Sequence, residues 1–179
     1  MKHNKAIFLD RDGILVIPTF RDGRSFAPRS LDDFKFYENI NFYLKKFKEL
    51  GYLNIIVTNQ PDIENGLLEM KVLKEMNKII LNSFPIDDIE FCTHKSDCRR
   101  RKPNSGMLID AAKKWNIKFE DSFMVGDRKS DVDAGKEVGT KTIFVDYNYS
   151  EKKPLNVDFF ADSVTLAFDY ILRMSNKND

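Results

Sequence analysis

Cysteine is nearly absent. Cys92 and Cys98 are the only two in 179 residues, too few for a disulfide framework and, in a reducing compartment, suited to free thiols or metal ligands. An excess of one charge sign is absent too. Lys and Arg total 29 against 28 Asp and Glu, a formal net charge of +1, so there is no global attraction to nucleic acid or to an anionic membrane, and any anion site has to be local. No long apolar run occurs near the start, where Met1-Lys2-His3-Asn4-Lys5 leads directly into the first apolar segment. Neither a secretion signal nor a membrane span is expected, and the expected location is the cytoplasm. Repeats, low-complexity tracts and linkers are missing as well. A single domain over residues 1–179 is expected, with 42% hydrophobic residues to fill its core.

What is present is organised around Phe8-Leu9-Asp10-Arg11-Asp12-Gly13. Ala6 to Leu9 form an unbroken apolar run, as in a strand buried on both faces of a parallel sheet, and two carboxylates follow where it ends. Side chains of a strand repeat every two residues, so Asp10 and Asp12 can face the same side, and Gly13 lets the chain turn away. Two adjacent carboxylates repel unless a cation or a shared proton relieves them. The pattern asks for a metal ion.

Residues 14–38 carry Pro18, Gly23 and Pro28 with no sustained period, and are expected to form a flap over that strand end. Arg21, Arg24 and Arg29 are there to face a substrate or simply solvent. Ile40, Tyr43, Leu44, Phe47 and Leu50 recur at helical spacing before Gly51. Leu53 to Val57 read as a strand ending in Thr58-Asn59-Gln60-Pro61, whose hydroxyl and amides can donate to an oxyanion. A helix over Leu68 to Ile80, a strand Ile89 to Cys92 and a cationic loop from Thr93 to Lys102 follow. Pro103 is read as opening the next helix, which puts Lys102 at a helix N-terminus. Ser122 to Val125 form a strand with Asp127 and Arg128 beyond its end, and Asp131 and Asp133 fall in the first turn of a helix to about Val138, as helix caps or as site residues. Thr142 to Val145 and a helix over Val164 to Met174 close the chain, with a frayed tail after Ser175. Strands alternating with helices imply an α/β fold, a three-layer, doubly wound parallel sheet. Its ligand edge then collects Asp10, Asp12, Thr58, Lys102 and Asp127. Hard oxygen donors suit Mg²⁺, while a lysine and a hydroxyl suit a phosphoryl group. That combination points to phosphoryl transfer.

In order and spacing, Phe-Leu-Asp10-Arg-Asp12-Gly, Val-Thr58-Asn59-Gln60, Arg101-Lys102-Pro103 and Met-Val-Gly-Asp127-Arg128 resemble the four motifs of the haloacid dehalogenase superfamily of phosphatases, over about Lys5 to Val145. Within it the chain is most similar to the D-glycero-D-manno-heptose 1,7-bisphosphate phosphatases and the related histidinol-phosphate phosphatases. The resemblance implies a fold of the superfamily's Rossmann-like kind, Asp10 as nucleophile and Mg²⁺ ligand, and Asp12 as acid and base that gives its backbone carbonyl to Mg²⁺. Asp127 is implied as the third ligand and Thr58 and Lys102 as phosphoryl contacts. Arg101, Asn59 and Arg128 are implied as substrate contacts, and Asp131 as a residue that holds a metal-bound water or orients Lys102. No stretch is long enough for the superfamily's cap domain, so an open site is expected, with the flap and the loop at 93–102 recognising the far end of the substrate.

Two departures stand out. Relatives of this kind hold a structural zinc with Cys-x-His and a later Cys-x-Cys; here Cys92, His94 and Cys98 are present but Arg100 occupies the fourth position. Such sites are almost always four-coordinate, so two free thiols and a surface histidine are expected in preference to zinc completed by water. After Thr-Asn-Gln the chain reads Pro61-Asp62-Ile63-Glu64-Asn65-Gly66 in place of a Gly-rich run, and the added negative charge could repel a second phosphate. The expected partner is a small sugar phosphate, with no nucleic acid and no membrane, and a monomer is the default. Histidinol phosphate is the alternative substrate, a nucleic-acid end phosphatase ranks third for want of basic excess, and a catalytically silent phosphate- or protein-binding module is the alternative of another class.

Overall fold

The computed structural model describes residues 3–96 and 98–176; the tail expected to fray lies mostly outside them. Six strands, β1 (Lys5–Leu9), β4 (Tyr52–Asn59), β5 (Asp88–Cys92), β6 (Phe123–Gly126), β7 (Lys141–Val145) and β8 (Phe159–Ala161), form one sheet in the order β5-β4-β1-β6-β7-β8. Every neighbouring pair in it is parallel. The first strand is central, and the order reverses beside it, between β4 and β6. In a parallel sheet the crevice at that reversal, at the carboxyl ends of the strands, is where ligands gather.

Alternation along each strand divides the core into two. Ile7, Leu9, Ile56, Phe123 and Val125 face one side, where Leu44 and Phe47 of α1 (Ile40–Glu49) and Phe168 and Ile171 of α5 (Val164–Ser175) cover them. Ala6, Phe8, Ile55, Val57 and Met124 face the other, under Met107, Leu108 and Ala111 of α3 (Gly106–Trp115) and Ala134 of α4 (Lys129–Val138). Ala6 to Leu9 are fully buried, as a strand apolar on both faces requires. The remaining helix is α2 (Met70–Ser83). Gly51 follows α1 at a φ of 80°, the left-handed end that a helix stop favours.

Three features differ from the sequence reading. Residues 14–38 contain a hairpin, β2 (Thr19–Arg21) paired with β3 (Arg24–Phe26); three-residue strands are too short to register as a period. Phe159–Ala161 adds a sixth strand for the same reason. Pro103 does not open α3, which starts three residues later at Gly106. The intervening residues form a turn in which Asn104 donates to the Arg101 carbonyl at 2.9 Å and Gly106 N donates to the Arg99 carbonyl at 3.0 Å. Lys102 therefore stands outside the helix and has no helix dipole behind it. Between β1 and α1 the chain makes only the hairpin and its flanks, and no described helix is long and apolar enough to cross a membrane.

Candidate active site

The carboxyl ends of β1, β4 and β6 converge on a cavity of about 550 Å³. Asp10, Asp12, Asn59, Gln60, Lys102 and Asp131 line its floor, with Arg24, Arg101, Arg128 and Glu151 around it. Its deepest group is a buried ion cluster. Lys102 Nζ lies 2.9 Å from Asp10 Oδ1 and 2.7 Å from Asp131 Oδ1, and donates to the Val57 carbonyl at 2.6 Å. Asn59 fixes this lysine by its main chain: Lys102 N donates to Asn59 Oδ1 at 3.0 Å and Asn59 Nδ2 donates to the Lys102 carbonyl at 2.9 Å. Asn59 thus braces Lys102, and its own amide is occupied.

Carboxylates of Asp10, Asp127 and Asp131 bring one oxygen each to within 4.8 Å of one another, all three residues being buried. Asp127 Oδ2 accepts from Tyr149 Oη at 2.7 Å, whereas its Oδ1 is buried with no hydrogen-bond partner. Two glycines make the approach of these groups feasible. A β-carbon at Gly13, whose φ is +97°, would overlap the Asp127 carboxylate, and one at Gly126 would overlap that of Asp131. Burial, reinforced by the charges of Asp10 and Asp131, pushes Asp127 well above the usual carboxylate range. An orphaned oxygen among three buried carboxylates and one ammonium leaves a deficit of positive charge, which a hard divalent cation fits.

Burial likewise raises Asp131 to about 6, with Lys102 opposing and Asp10 adding to the shift. Because this exceeds the unfolded value of 3.8, the native state holds the extra proton between the two. Stability from this group is present below about pH 4 and is lost as pH rises through about 6. In metal-free protein the thermal midpoint should fall over that window, by the equivalent of roughly 3 kcal/mol for this residue, and the fall should be shallower in Asp131→Asn. Parallel slopes for the two proteins in a pH series of melts would refute the assignment.

Asp12 is oriented by two neighbours. Arg11, fully buried, pairs with its Oδ2 at 3.0 Å, and Gln60 Nε2 donates to the same oxygen at 2.7 Å and to Thr58 Oγ1 at 2.9 Å. Burial is the largest influence on Asp12 and raises its carboxyl; Arg11 opposes this and Asp10 adds to it. Thr58 sits behind Gln60 and off the cavity wall, but its hydroxyl accepts from Gln60 and keeps its own proton to donate. Arg128 is paired with Glu151 at 2.6 Å and donates to both the carbonyl and Oγ of Ser25 at 2.8 Å. Arg101 donates to the His94 carbonyl at 2.8 Å, and Asp131 accepts from Arg128 N at 3.0 Å in an N-terminal cap. Asp131 therefore both caps α4 and orients Lys102.

Away from the cavity, Cys92 and Cys98 bring their sulfurs to 3.3 Å, with His94 Nδ1 at 3.6 and 3.5 Å. Arg100 turns away to Glu90 and Asp110, each at 2.5 Å, so it offers nothing to that cluster. The added acids after Gln60 are also accounted for. Asp62 is neutralised by Arg29 at 2.7 Å, and Glu64 accepts from Lys95 N. Sequence reasoning gave the Gln60 amide as an oxyanion donor, where the structure has it on Asp12 and Thr58, and missed Arg11, Ser25, Tyr149 and Glu151. Gln60 stood in a quoted motif, whereas Tyr149 and Glu151 lie in a loop without any local signal.

A family model described as HAD-hydrolase-like matches residues 99–167. Among solved structures, D,D-heptose 1,7-bisphosphate phosphatase from B. bronchiseptica, complexed with magnesium and phosphate, superposes with a TM-score of 0.78 over 95% of this chain and 99% of that one, at 20% identity. The D-glycero-beta-D-manno-heptose-1,7-bisphosphate 7-phosphatase of Helicobacter pylori strain 26695 is 36% identical over 149 residues, 79% of this chain and 83% of the relative. The alpha-heptose counterpart from Photorhabdus laumondii is 34% identical over 161 residues, 81% of this chain and 85% of the relative. With that identity over most of both chains, this chain belongs to the heptose-1,7-bisphosphate 7-phosphatase family of HAD-like hydrolases.

Proposed function

We propose that the protein is a Mg²⁺-dependent phosphatase that removes the 7-phosphate of D-glycero-D-manno-heptose 1,7-bisphosphate. The observation that carries this is the buried Asp10–Lys102–Asp131 cluster beside the orphaned oxygen of Asp127. Asp10, Asp127 and the backbone carbonyl of Asp12 would hold Mg²⁺, with Asp131 acting through Lys102. When bound, the ion offsets phosphoryl charge and polarises phosphorus toward attack.

The chain's own groups account for the rest. An Asp10 carboxylate oxygen attacks phosphorus and the P–O bond to the sugar breaks, giving an aspartyl-phosphate. Asp12 delivers its proton to the departing sugar oxygen, a task for which a carboxyl raised by burial and held by Gln60 suits it. Water then attacks phosphorus, the bond to Asp10 breaks, and Asp12 takes the water proton. Lys102 offsets phosphoryl charge, and Thr58, from behind, holds the Gln60 amide that orients Asp12.

The distribution of unneutralised charge supports a substrate with two phosphates. Around the cavity Arg128 is matched by Glu151, Asp62 by Arg29 and Lys102 by Asp10 and Asp131. Among the described residues Arg24 and Arg101 have no such carboxylate, and both line the cavity. Their guanidinium groups suit a second phosphate at the far end of the substrate. Phosphate release should favour a heptose 1,7-bisphosphate anomer over histidinol phosphate, measured as kcat/KM with Mg²⁺. Arg24→Gln should lower kcat/KM for the bisphosphate on the order of 10-fold while leaving heptose 7-phosphate within about twofold, the loss of one charged contact. Equal losses on both substrates would remove Arg24 from second-phosphate recognition, and indifference of the wild type to the panel would overturn the substrate.

A further inference from the structure

Asp127 has one oxygen engaged and one free, and the engaged one is held from outside the motifs. Tyr149, in the loop after β7, donates from Oη to Asp127 Oδ2 at 2.7 Å, while Oδ1 remains buried and unpartnered. A carboxylate on a short side chain can rotate to offer either oxygen or both; a hydroxyl fixed on one of them decides which oxygen faces the ion.

Tyr149 is itself held by the hairpin. Its ring lies 5.5 Å from that of Phe20 on β2 and 5.7 Å from that of Tyr147, centroid to centroid. Tyr147 Oη donates to the Gly13 carbonyl at 2.8 Å, the same glycine whose missing side chain makes room for Asp127. Backbone bonds reinforce the junction, since Ser150 N and Oγ donate to the Gly23 carbonyl at 3.0 and 3.1 Å. The hairpin that borders the cavity through Arg24 and Ser25 is therefore fastened to the loop that fixes Asp127. Phe20 is half exposed, which makes it replaceable without opening the core.

We infer that Tyr149 is a positioning residue for Asp127, directing Asp127 Oδ1 to a divalent cation, and that Phe20 of the hairpin holds Tyr149 in that role. The inference rests on reading Asp127 as a Mg²⁺ ligand. It makes cation affinity depend on a hairpin that touches no metal ligand.

The test is calorimetric titration of Mg²⁺ into metal-stripped full-length protein, alongside the melting temperature of each metal-free variant. Tyr149→Phe keeps the ring and removes the hydroxyl, and should weaken Mg²⁺ binding roughly 10–100-fold, as loss of a partner that orients a metal ligand does. Phe20→Ala should weaken it about 2–10-fold, the size of an aromatic contact. The double variant should match Tyr149→Phe alone, because without the hydroxyl the Phe20 contact has nothing to transmit. The metal-free melting temperatures should stay within about 3 °C of wild type, the effect of a surface contact. An unchanged Mg²⁺ affinity in Tyr149→Phe, or additive losses in the double variant, overturns the inference. Asp127→Asn serves as the reference: if Mg²⁺ affinity is unchanged there, the ligand reading has failed. Tight, Tyr149-dependent Mg²⁺ binding in a protein that ignores heptose bisphosphate would overturn only the substrate assignment.

Discussion

Asp10→Asn should abolish phosphate release, with kcat reduced on the order of 10⁴–10⁶-fold, as expected when a covalent nucleophile is removed from a site whose other parts remain. The substitution is nearly isosteric and takes one negative charge from a place where Asp10, Asp127 and Asp131 crowd together. Lys102 keeps Asp131 as its partner at 2.7 Å. The variant should therefore stay folded and melt no lower than wild type by more than a few degrees, still binding the substrate it cannot turn over. Phosphate release with Mg²⁺, and the absence of any phosphorylated protein after rapid acid quench, are the measurements. Residual turnover above about 1% in a metal-loaded, folded variant would mean that water attacks phosphorus directly, since loss of a covalent nucleophile leaves far less.

Lys102→Met should cost both stability and activity. Lys102 is buried, and its ammonium is the cation that Asp10 and Asp131 share, at 2.9 and 2.7 Å. Removing one member of a buried charge group leaves the others uncompensated, typically a loss of about 3–5 kcal/mol. For a chain of this size that corresponds to a melting point lower by roughly 10 °C at pH 7. The deficit should shrink toward pH 5, where protonation of Asp131 removes the charge left without a partner. Activity should fall by at least about 10²–10³-fold, the usual effect of deleting one oriented donor to a developing oxyanion. Melting within about 2 °C of wild type would show that water or an ion neutralises the carboxylates as well as Lys102 does, contrary to the buried-pair estimate.

Much of this site could be read before any fold was known because its residues are tied to strand ends. Asp10 and Asp12 follow the four-residue apolar run of β1, Thr58 and Asn59 complete another strand, and Asp127 stands one residue past a third. Local sequence determines the strand, and the parallel topology then brings its end to the common edge. The sequence also placed three carboxylates, a lysine and a hydroxyl near this edge, donor types that suit a hard divalent cation and a phosphoryl group. The unbroken apolar run from Ala6 to Leu9 was sufficient to read a strand buried on both faces.

Tertiary structure alone decided how the groups are used. Asn59, expected at the substrate, braces the main chain of Lys102, because the partner 43 residues away in sequence comes within 3.0 Å only on folding. Asp131 could be a helix cap or a partner of Lys102, and it is both, one oxygen serving each. Asp62 loses its repulsive reach to Arg29, and Glu64 is held by the backbone of Lys95, contacts that no spacing rule links. Tyr149 and Glu151 came from a loop without periodicity, and the hairpin that Tyr149 touches was too short to show one. Local pattern fixes which residues end at the ligand edge, because strand and helix periods are written in near neighbours. Which oxygen stays free and which cation lacks a partner depend on contacts between distant segments, and those exist only in the folded chain.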